Sequence, residues 1–189
     1  MLEEEFRDLG KQGFNKVPIV MEKFADLDTP LSVYLKAANN PYTYLLESVH
    51  GGERFGRYSF VGLSAKTQFC VYGKTCLEIE NGKIVFKKII DEPLDWIREI
   101  QKNFKARIPS GLPRFLGGLV GYFGYETIKF IEKRLNKPDK PDVLGTPDIM
   151  LLLSEELIIV DPNCSNELLI LHSQHNMIQL ENLLEEVLK

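Results

Sequence analysis

Three cysteines are few for 189 residues, and Cys70, Cys76 and Cys164 form no CxxC pair. An odd count without paired spacing argues against a disulfide framework and a structural zinc site, and leaves reduced thiols in a core. No basic run exceeds two residues such as Lys87-Lys88, and the formal net charge is −4, so nothing suits a nucleic-acid backbone. No stretch approaches the roughly 18 apolar residues of a membrane span. The opening MLEEEFRDLG is acidic where a secretory leader would be basic and then apolar. A cytoplasmic protein with neither nucleic acid nor membrane as partner is expected. What the chain does have is an ordinary globular composition, 44% hydrophobic and 26% charged, enough for one core or two small lobes sharing a sheet.

Periodicity predicts the elements. Leu2 to Leu9 reads as a short helix ended by Gly10 or Gly13, and Val17 to Phe24 as an edge strand with Pro18 near its start. Thr29 and Pro30 supply a cap and first turn for a helix carrying Leu31, Tyr34, Leu35 and Ala38. Lys66 to Tyr72, Thr75 to Glu80 and Lys83 to Ile89 read as strands turning at Gly73-Lys74 and Asn81-Gly82, and residues 58 to 89 together as an antiparallel meander. An amphipathic helix is predicted over Asp91 to Ala106, with Leu94, Ile97, Ile100 and Phe104 buried and Trp96 widening the stripe. Phe115 to Glu126, FLGGLVGYFGYE, reads as a strand whose glycines admit a close neighbour, or border a ligand. A short helix over Tyr125 to Leu135 and a polar loop over Asn136 to Pro147 follow, and that loop is the expected internal boundary.

Asp148 to Ser154 and Glu156 to Asp161 are almost wholly apolar and read as a central strand or one long bulged strand. Glu167 to His172 reads as a further strand and Asn176 to Lys189 as a closing helix. Eight to ten strands and five helices without strict βαβ alternation imply an α+β fold, mainly antiparallel sheets packed with helices.

The chemically mixed stretch is Tyr44 to Leu63, YLLESVHGGERFGRYSFVGL, read as strand, loop, strand. Glu47 and Ser48 close its first strand and Arg54 and Arg57 precede its second, a set that suits an amino-acid zwitterion: carboxylate for the ammonium, guanidinium for the carboxylate. The plainer reading is a surface Glu–Arg pair beside a tight turn. Elsewhere the chemistry is thin. His172, His175 and Cys164 lack a fourth metal ligand at suitable spacing. His50 stands two residues from Ser48 with no third group to orient it. Glu155 and Glu156 are adjacent on a strand and face opposite sides. No metal site is expected.

LLES with its glycine turn and GRYSFVG, then FLGGLVGYFGYE and Pro147 to Asp161, PDIMLLLSEELIIVD, together resemble the N-terminal region of anthranilate synthase component I. That is the large, chorismate-using subunit of tryptophan biosynthesis. The resemblance implies amination of chorismate with loss of pyruvate, using ammonia from a glutamine amidotransferase subunit and assisted by magnesium. It also implies a feedback site for tryptophan, with Ser48 in the pocket and Glu47, Leu46, Arg57 and Pro30 as its neighbours. No stretch matches the family's C-terminal chorismate-binding region, so residues 1–189 are expected to form an N-terminal fragment without catalytic residues. Magnesium and the remaining wall of the pocket then belong to the missing region. Three other readings stay open. The large subunit of aminodeoxychorismate synthase shares the architecture, the chain could be a stand-alone amino-acid-binding module, or it could be a structural half that docks the amidotransferase subunit.

Overall fold

The computed structural model describes residues 8–25, 27–47, 57–135, 142–161 and 167–172, the last as backbone. Residues 8–11 are helical, and the chain leaves that helix through Gly13 at φ +88°. The rest of the predicted N-terminal helix, Cys164, His175 and the predicted closing helix lie outside the described residues. The chain forms two compact units, and it passes between them at Ala65, Phe104, Gly118 and Leu153. The division follows sheet membership rather than the proline-rich loop at 136–147, which falls within the second unit.

The first unit, Met1–Ala65, Lys105–Gly118 and Ser154–Lys189, holds a five-stranded sheet. Its strands are β1 (Ile19–Phe24), β2 (Tyr44–Leu46), β3 (Ser59–Gly62), β9 (Glu156–Asp161) and β10 (Glu167–His172), ordered β1-β10-β9-β3-β2 with every pair antiparallel. β1 is an edge strand, entered directly after Pro18, where a missing N–H costs no ladder bond. β9 is central, and Leu157, Ile158, Ile159 and Val160 are all buried because both of its faces are covered. On one face Ile158, Val160, Val61 and Leu45 pack with Val33 and Ala38, from helix α1 (Pro30–Ala37) and its C-cap. On the other, Leu157 and Ile159 pack with Val20, Phe60, Leu112, Phe115 and Leu116.

The second unit, Lys66–Phe104 and Leu119–Leu153, contains β4 (Thr67–Tyr72), β5 (Thr75–Glu80), β6 (Lys83–Ile89) and all but one end residue each of β7 (Gly118–Phe123) and β8 (Ile149–Ser154), ordered β6-β5-β4-β8-β7. Asn81 and Gly82 both take positive φ, 50° and 76°, as a two-residue hairpin with native strand twist requires. Helix α2 (Pro93–Lys102) lays Ile97 with Leu94, Trp96 and Ile100 on Phe69, Val71, Ile149 and Leu151. Trp96 meets Phe69 edge-on at 5.9 Å and stacks on Phe86 at 5.8 Å, so it does widen the apolar stripe.

Four sequence expectations change. The meander covers only β4 to β6, because β3 takes β2 and β9 as partners in the other sheet. The apolar run 148–161 is two strands in two sheets, β8 and β9, separated by Glu155. Helix α2 stops at Lys102, since the backbone of Lys105 is taken by Asn15: its N–H donates to Asn15 Oδ1 at 2.8 Å and its carbonyl accepts from Asn15 N at 3.0 Å. The helix expected over 125–135 is two 3-10 segments, Tyr125–Phe130 and Lys133–Leu135; Ile128 and Ile131 stay exposed, so no buried stripe rewards an α-helix.

Candidate functional site

The mixed stretch folds as an antiparallel pair, with Tyr44 opposite Gly62, Leu45 opposite Val61 and Leu46 opposite Phe60. A methyl group at 62 would stand 2.0 Å from the Tyr44 ring, so only glycine leaves that ring in place. The ring's hydroxyl shares a 2.7 Å hydrogen bond with Ser154 Oγ, and burial raises the Tyr44 pKa, partly offset by that bond. Strand alternation sends Leu45 to the α1 face of the sheet and Tyr44 and Leu46 to the other. There Phe60, the partner of Leu46, meets Phe115 edge-to-face at 5.3 Å.

Of the residues predicted to form the site, Ser48 lies outside the described residues, as do His50 and Arg54. Leu46 ends β2 half-exposed and Glu47 follows it in solvent. Pro30 occupies the first turn of α1 behind the Thr29 cap. Since α1 packs on the Leu45 face, Pro30 and the Leu46 side chain stand on opposite faces of the sheet.

Arg57 stands two residues before the first residue of β3, and its fork is taken up within the chain. Nε donates to Asp161 Oδ2 at 2.9 Å and to Oδ1 at 3.1 Å, and Nη2 donates to Oδ2. The guanidinium carbon sits 4.9 Å from the centroid of the Tyr58 ring. Asp161 is only 3% exposed, so this pair answers the desolvation of a buried carboxylate. In the sequence Asp161 reads only as the acid that ends an apolar strand, because its partner Arg57 stands 104 residues away. Ser154 and Lys16, which pairs with Glu155, were missed for the same reason, since each finds its partner more than a hundred residues away.

The remaining candidates resolve structurally. Glu155 is an ion-pair partner of Lys16, and no group of three or more metal-ligating side chains occurs among the described residues. The glycines of FLGGLVGYFGYE serve close backbone packing: a methyl group at Gly121 would lie 2.0 Å from the Met150 carbonyl oxygen, one at Gly124 2.9 Å from that of Asp148. Cys70 and Cys76 are buried free thiols on opposite faces of the β4–β5 pair, and burial pushes Cys76 up to about 11.

No protein-family profile matches the chain. Anthranilate synthase component 1 of Neisseria meningitidis is 55% identical over 162 residues, which is 84% of this chain and 33% of that protein. The same enzyme component from Pseudomonas putida is 45% identical over 161 residues, 85% of this chain and 33% of its own length. The crystal structure of anthranilate synthase component I from Streptococcus pneumoniae TIGR4 superposes with a TM-score of 0.53 at 25% identity, over 87% of this chain and 35% of that one. The chain thus spans about a third of the length of its curated relatives. Along that third, in sequence and in fold, it is a relative of anthranilate synthase component 1.

Proposed function

We propose that this chain is the N-terminal regulatory and structural part of a subunit that converts chorismate and ammonia to anthranilate and pyruvate. The observation that carries this reading is the 55% identity to anthranilate synthase component 1 over 84% of the chain. On the same reading the ammonia comes from a glutamine amidotransferase subunit, the chemistry belongs to the rest of the protein, and the location is cytoplasmic. Magnesium serves that chemistry. Tryptophan, the end product, is the feedback ligand, with Ser48, Glu47 and Leu46 on one wall of its pocket. Support for that wall is chemical: an exposed carboxylate beside a half-exposed leucine at a strand end suits the ammonium and the apolar body of an amino acid.

Anthranilate fluorescence tests the proposal. The intact protein that carries this chain should generate signal from chorismate with ammonium and lose it on adding tryptophan, whereas residues 1–189 alone should stay at the no-protein baseline. Turnover by residues 1–189 alone would place the chemistry here and overturn the division of labour.

A further inference from the structure

The ladder of the first unit's sheet relates Asp161 to the end of β2. Leu46 faces Phe60, and Phe60 faces Ile159. One residue further, Ser59 faces Val160, the residue before Asp161, and Glu47 follows Leu46 in the chain. With strands about 4.8 Å apart, Asp161 lies on the order of 10 Å across the sheet from the strand that presents Leu46 and Glu47. A continuous set of contacts spans that gap. Asp161 accepts from Arg57, Arg57 covers the Tyr58 ring, and Tyr58 lies 6.3 Å from Phe60, the partner of Leu46. One end of this set of contacts is buried and the other is exposed. Asp161, 3% exposed, ends a strand buried from Leu157 onward, while Leu46 is 46% exposed.

We propose that Asp161 is a positioning residue for the amino-acid site: through Arg57 it fixes the first residues of β3, and with them the register that presents Leu46 and Glu47 to the ligand. This rests on the tryptophan reading above. Arg57 is then an anchor and not the clamp for the ligand's carboxylate, because two of its donors already close on Asp161. Lysine cannot replace it, since an ammonium lacks the planar fork that meets a carboxylate with two bonds.

The test uses the intact protein and compares the half-inhibitory tryptophan concentration with kcat/KM for chorismate. Asp161→Asn keeps the shape and removes the charge. It should raise the inhibitory concentration about tenfold while kcat/KM stays within about twofold. Arg57→Lys keeps a cation opposite the buried carboxylate, so folding is preserved, and it should raise the inhibitory concentration several-fold. A merely structural role would lower thermal stability and leave the inhibitory concentration of the folded fraction unchanged. Wild-type inhibition by tryptophan with Arg57→Lys inhibited at the same concentration overturns the role of Asp161 alone. A wild-type protein indifferent to tryptophan overturns the feedback reading and this inference with it.

Discussion

Gly62 shows how one absent methyl group positions a hydroxyl. The Tyr44 ring lies over its Cα, and from there the Tyr44 hydroxyl shares a 2.7 Å hydrogen bond with Ser154 Oγ. Gly62→Ala should therefore cost about 1–3 kcal/mol, the usual range for overpacking. Tyr44→Ala in the same chain removes the ring that the methyl group strikes, so the double variant should be less destabilised than the sum of the singles. Urea unfolding of the four proteins measures this, and strict additivity would show that the ring and the glycine are independent. Cys76 is a residue-scale case of pH dependence. Its folded-state thiol is raised by burial from an ordinary 9.0 to about 11. A raised value means that the neutral form is favoured by folding, so its contribution is full below about pH 9 and is lost as pH rises through about 11. Stability should fall over that window, and Cys76→Ala should flatten the fall; an identical slope in the variant would assign the loss to other groups.

At the scale of elements, what the sequence made legible is what is settled locally. Thr29, Pro30 and Ser32 specify the start of α1: Ser32 N–H donates to Thr29 Oγ1 at 3.1 Å and Thr29 N–H to Ser32 Oγ at 2.9 Å, a reciprocal cap. Because α1 covers Val61 and Ile158, fraying its first turn should appear in global stability. Thr29→Ala should cost about 1 kcal/mol and Thr29→Ser almost nothing, read from thermal midpoints. Equal losses for both would remove the cap from the account. The Asn81-Gly82 hairpin and the Trp96 stripe were legible for the same reason, each depending on residues close in sequence or on helical spacing. β3 was not. Ser59 to Gly62 alternates as β4 does, and nothing local says that its partners are β2 and β9 rather than the next strand. The run through Leu153, Ser154 and Glu155 hid a change of sheet in the same way, since an apolar strand carries no mark of which sheet it joins. Arg57 reads from the sequence as a site cation, and its partner Asp161, 104 residues away, leaves no local signal.

For the whole molecule, the family could be read from three short blocks, but a division into two units could not, because the chain crosses between them four times. On the proposed function, the residues contributed here meet tryptophan from one side, and the cover over the indole comes from the rest of the protein. Burying a side chain as large as tryptophan is worth on the order of 2–3 kcal/mol or more, and each 1.4 kcal/mol is a factor of ten in affinity. Loss of that cover should weaken binding at least about a hundredfold. Polar contacts will not restore it: Glu47 is solvated, and the guanidinium of Arg57 already serves Asp161. Titration calorimetry of tryptophan into residues 1–189 should therefore give no saturable heat below about millimolar concentration, while the intact protein binds it far more tightly. A micromolar, stoichiometric isotherm from residues 1–189 would place the entire pocket within this chain, and the stand-alone amino-acid-binding module would become the better reading.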